Sequence, residues 1–94
     1  MAGHGDADPG RIQTSADLIR ELDVLRRRAA GPGQVRLSVR EIAKRSGKAP
    51  STLDLYLRGQ RLCPEDTFEE VLRALGVRND QLGPWLDAWE RVAA

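Results

Sequence analysis

Ninety-four residues, 40% of them apolar and 31% charged, suffice for one small globular domain, of a size that hides only about 60% of its unfolded surface. No run approaches the roughly 20 apolar residues of a membrane span, and the N-terminus lacks the apolar stretch of a secretory signal. The formal net charge is +1, yet residues 24–61 hold ten Lys/Arg against two Asp/Glu, a local +8, while the remainder holds five against twelve, a local −7. Such asymmetry points to an anionic partner at the basic segment. Cys63 is the single cysteine, so no internal disulfide forms, and no Cys-x-x-Cys or Cys/His cluster supplies metal ligands. The expected setting is a reducing cytoplasm, with no metal or other cofactor. Thirteen arginines against two lysines, with frequent Ala, Gly and Pro, suggest a GC-rich bacterial genome.

Met1–Thr14 is rich in Gly, Asp and Pro, with Ile12 its only large aliphatic residue, and reads as a mobile tail preceding a domain over 15–94. His4, the sole histidine, falls in that tail, where a chemical role is not expected. Ser15 suits an N-cap and Asp17 the positive helix end, and Leu18, Leu22, Leu25 and Ala29 recur on one face of a first helix. The stretch AAGPG breaks that helix and opens a loop to about Leu37. Ser38 and Glu41 form S-x-x-E, a capping box, with Leu37 and Ile42 placed as its hydrophobic staple, so a second helix starts there and ends at Gly47. Pro50 fits the first position of a third helix whose apolar face is Leu53, Tyr56 and Leu57 and whose outward face is Ser51, Leu55 and Arg58, flanked by Asp54. Pro64, Glu65 and Asp66 begin a fourth helix with Phe68, Val71, Leu72 and Leu75 inward. A last helix, starting near Pro84, carries the stripe Leu82, Trp85, Leu86, Trp89 and Val92.

Ala43, Gly47 and Leu53, with Ile42 and Tyr56, have the spacing of two helices crossing over a tight turn at about residues 38–59. Followed by LRGQR and VLRALG, this segment resembles the Xre-type, lambda-repressor-like helix-turn-helix domains over about Leu18–Leu75. The resemblance implies an all-α, five-helix bundle that binds double-stranded DNA to regulate transcription, with the third helix in the major groove and the second across the phosphates. Carried onto this chain, Pro50, Ser51 and Leu55 stand where the family reads bases, with Thr52, Asp54 and Arg58 beside them. Gln60 and Arg61 stand in the following loop, where relatives touch phosphate, and Arg36, Arg40, Lys44 and Lys48 supply basic groups before, on and after the second helix.

The chain departs from the family pattern in five places. Val39 and Pro50 replace amides common in relatives, Ser46 and Lys48 flank the turn where large apolar residues are usual, and the Gly31–Leu37 loop is longer. Base contact is left to Ser51, to Leu55 against a thymine methyl, and to Asp54, which can accept from cytosine N4. The alternative use of the fold is a protein-docking module with weak or no DNA binding, through Leu55 or the tryptophan helix. Trp85 and Trp89 serve either as core or as the contact for a homodimer or larger protein partner. An enzyme is not expected: no nucleophile and base can be assembled with the one histidine in a tail, and no glycine-rich phosphate loop is present.

Overall fold

In a computed structural model, which describes residues 7–94, five helices follow one another as α1 (Ser15–Ala29), α2 (Val39–Ser46), α3 (Pro50–Leu57), α4 (Glu65–Ala74) and α5 (Leu82–Ala93). Single 3-10 turns precede α1 at Pro9–Arg11 and α5 at Asn79–Gln81, and no strand occurs among the described residues. This is the expected all-α, lambda-repressor-like bundle, with Phe68, Ile42, Leu53 and Leu72 fully enclosed at its centre.

The cap of α1 is Thr14, one residue earlier than expected. Its hydroxyl accepts from Asp17 N–H at 3.1 Å, and the Asp17 carboxylate accepts from the backbone N–H groups of Gln13 (3.0 Å) and Thr14 (3.2 Å), a reciprocal box. The Gln13 N–H is the main cause holding the Asp17 carboxyl below its ordinary 3.8. A carboxyl whose pKa is depressed on folding stabilises the protein above its unfolded pKa, and that contribution is lost as pH falls through the folded one. D17N is therefore expected to melt below the wild type at pH 7, with the difference shrinking as pH drops below 3.8. Thermal unfolding followed across that range checks it.

Residues 7–14 do not form the expected mobile tail; His4 lies outside the described residues. Ile12 is 0% exposed, enclosed in the common core. Asp8 caps the first 3-10 turn through Gly10 N–H (2.9 Å), and its own N–H donates to the buried carboxylate of Glu21 (3.0 Å). From α5, Arg91 donates to the carbonyls of Ile12 (3.0 Å) and Pro9 (2.8 Å). One deeply buried aliphatic side chain and three backbone groups tied by charged partners offset the ordering of a short polar segment.

The loop after α1 is closed by a two-way clamp. Leu37 N–H donates to Arg26 carbonyl (2.9 Å), and Arg26 Nε donates back to the Leu37 carbonyl (3.0 Å). Burial, chiefly, and then the nearby Arg36 hold the Arg26 pKa below its ordinary value. Leu37 is thereby seated in the core beside the α2 cap, where Ser38 Oγ accepts from Glu41 N–H at 3.1 Å. The return half of the expected box is not made. Glu41 instead binds Arg45 Nε (3.0 Å), whose guanidinium also donates to the Ala74 carbonyl (3.1 Å) and ties α2 to the end of α4.

The α2–α3 turn rests on Gly47, at φ 73°, whose N–H and that of Lys48 both return to the Ala43 carbonyl. Ser46 Oγ donates to Ile42 carbonyl (2.7 Å), so the polar residue in this position stays locally satisfied. A Cβ at residue 47 meets no atom within 4 Å, and the cost of adding one is conformational alone. G47A is expected to lose about 1–2 kcal/mol, the left-handed penalty for a residue with a side chain, read as a lower denaturation midpoint at unchanged m-value.

The fifth helix begins at Leu82, two residues before the expected Pro84. Proline is accommodated because the first four helical N–H groups have no partner within the helix. Trp85 is 4% exposed, and half-buried Trp89 donates from Nε1 to the Cys63 carbonyl at 2.8 Å. Of the two expected uses, core or partner contact, Trp85 is in the core, and Trp89 packs against it while keeping part of its surface exposed.

Candidate nucleic-acid interface

Two eight-residue helices, each about 12 Å long, form the hairpin. Ile42 and Ala43 of α2 and Leu53 and Leu57 of α3 are buried between it and the rest of the bundle, which fixes the opposite sides as solvent-facing. On α3 that side shows Pro50, Ser51, Thr52, Leu55 and Arg58, with Asp54 and Tyr56 half-buried. Leu55 is 40% exposed. Ala49 precedes the helix without any side-chain cap, so the first-turn N–H groups of Ser51 and Thr52 point out beside their exposed hydroxyls.

Charge pairing divides the cations of the molecule. Among the described residues, Arg11, Arg20, Arg27, Arg36, Arg45, Arg58, Arg73 and Arg78 each have a carboxylate partner, while Arg26 and Arg91 are bound to carbonyls. Those with neither an ion pair nor a side-chain hydrogen bond are Arg28, Arg40, Lys44, Lys48 and Arg61. Four of these five lie on the hairpin or just after it. Arg40 and Lys44 stand four residues apart, on one exposed face of α2. Lys48 sits in the turn, and Gln60 and Arg61 lie exposed past α3.

The remaining members of the expected set are placed differently. Arg36 is held 2.8 Å from Asp23, the carboxylate that also receives Arg27, and is thus partly compensated on the α1 side. Asp54 does not stand alone on α3, because Arg58 Nε lies 2.9 Å from its Oδ2. Val35, 71% exposed in the Gly31–Leu37 loop, is the one large apolar group besides Leu55 exposed among the described residues, and the sequence gives no periodic signal for it. Arg26, in the last turn of α1, is made structural by the loop clamp.

Other chemistry finds little purchase. Burial, above all, pushes the Cys63 thiol up to about 11, far from a neutral-pH nucleophile. Among the described residues no three His, Cys, Asp or Glu side chains gather as a metal site, and no helix is long and apolar enough to cross a membrane.

A model of the helix-turn-helix domain family matches residues 17–85, more than half of the sequence. The chain belongs to that family. Searches of curated proteins and of solved structures return no match.

Proposed function

We propose that this protein is a sequence-specific regulator of transcription of the Xre type, acting on double-stranded DNA in the cytoplasm, at the nucleoid, without enzymatic activity, metal or cofactor. The observation that supports the proposal is that Arg40, Lys44, Lys48 and Arg61, without a partner among the described residues, lie on the hairpin or just after it, beside an α3 that leaves Ser51, Leu55 and Arg58 exposed. A groove about 12 Å wide admits one helix. With α3 in it, α2 crosses the adjoining backbone, and each neutralised phosphate releases counterions that favour binding.

A fluorescence titration of the full chain against mixed-sequence duplex tests this. Neutralising four or five phosphates gives a slope of log affinity against log salt of roughly −3 to −5. Absence of binding at tens of micromolar protein in low salt overturns the proposal and favours a docking module for a protein partner, a reading supported by the exposure of Leu55. A single module buries only about 600–1,000 Å² on DNA, so tight operator binding calls for two copies on half-sites about one helical turn apart. Trp85 is buried in the core, so of the two tryptophans only the half-buried Trp89 has surface left for such a contact.

A further inference from the structure

We infer that Asp54 is a positioning residue for Arg58, and that the pair gives the protein a preference for guanine at one position of its site. The inference rests on the DNA-binding reading above.

Asp54–Arg58, which joins α3 to the residue that caps its end, is the one ion pair that α3 makes among the described residues, and both partners lie on the solvent side near Leu55. Both partners are substantially exposed, 65% for the arginine side chain and 41% for the aspartate, so the pair contributes little to holding the bundle together. Its effect is on geometry and charge. With Nε beside the carboxylate at 2.9 Å, the guanidinium makes no ion pair or side-chain hydrogen bond with any other described residue, which leaves its two terminal Nη groups for an outside acceptor. Those two groups form the end-on fork that matches the O6 and N7 acceptors of guanine, the commonest specific arginine contact in the major groove.

Compensation by Asp54 also makes Arg58 a poor candidate for a purely electrostatic phosphate contact. The net charge of the pair is zero, whereas Arg40, Lys44, Lys48 and Arg61 keep theirs. A carboxylate on the groove side of α3 weakens non-specific attraction, which is tolerable where it raises discrimination instead. Asp54 thus acts through Arg58 rather than as an acceptor from cytosine.

Selection from a randomised duplex pool, run on the full chain, separates the possibilities, with circular dichroism and thermal unfolding confirming that each variant is folded. The wild type is expected to enrich a motif containing a guanine. R58A and R58K lose that preference, by about 5- to 150-fold in relative affinity at that position, because lysine keeps the charge without the fork. D54A keeps the arginine but loosens it, weakening the same preference by about twofold or more, while D54E retains part of it. The inference is overturned, and the DNA-binding reading kept, if D54A only raises affinity for every sequence with a steeper salt dependence, or if guanine enrichment survives R58A. A wild type that binds duplex but enriches no motif overturns the inference and the sequence specificity together, and one that binds no duplex overturns the whole reading.

Discussion

Replacing Arg40 and Lys44 together by alanine is expected to flatten the salt dependence of DNA binding by about 1.8 in log-log slope and to weaken binding about fiftyfold at 0.1 M salt. The size follows from counterion release: each phosphate contact contributes about 0.9 to the slope, and two lost contacts extrapolated from 1 M to 0.1 M salt amount to nearly two decades. The two side chains are suited to the measurement because neither has a partner among the described residues, and they share one exposed face of α2. Their removal leaves no buried group unpaired, so unfolding temperature stays within the range of ordinary surface substitutions. Titrations at four salt concentrations, on wild type and double variant, check the result. An unchanged slope places the backbone contact on some other face.

Leu53→Ala is expected to remove about 3 kcal/mol of folding stability, with a fall in Tm on the order of 15 °C. Leu53 is completely enclosed where α3 meets the bundle. The substitution removes apolar contact and leaves a cavity that neighbours from α2 and α4 fill only in part. Against a total stability of roughly 5–14 kcal/mol for a domain of this size, that is a large fraction. Leu55→Ala, two residues away on the opposite side, is expected to change stability by less than about 0.5 kcal/mol. Chemical denaturation of the two variants measures the contrast, and a comparable loss in both would reverse the assignment of inward and outward faces of α3.

The features legible in the sequence are those whose determinants lie within a few residues of each other. The staple of Leu37 and Ile42, the left-handed Gly47 and the first-turn Pro50 set the limits of α2 and α3, and the inward leucines of α1, α3 and α4 repeat at helical spacing. Determinants distant along the chain were hidden. Ile12 is a lone aliphatic residue in a polar stretch, and the core that encloses it, with Arg91 on its carbonyl and Glu21 on Asp8, is assembled only by folding. Glu41 has the spacing of a capping box, but Arg45 competes for its carboxylate. The candidate site shows the same division. The basic residues could be counted along the chain, whereas their separation into paired and unpaired groups depends on where Asp23 and Asp54 come to lie.

The clamp between Arg26 and Leu37 makes the six residues from Gly31 to Arg36 a detachable appendage in mechanical terms. The hairpin itself is seated by its buried residues and by the tie from Arg45 to α4, so the length and composition of the intervening crest are free to change without moving the surface proposed to face a duplex. Grafted segments there, a fluorophore or an epitope among them, are tolerated so long as both anchors stay.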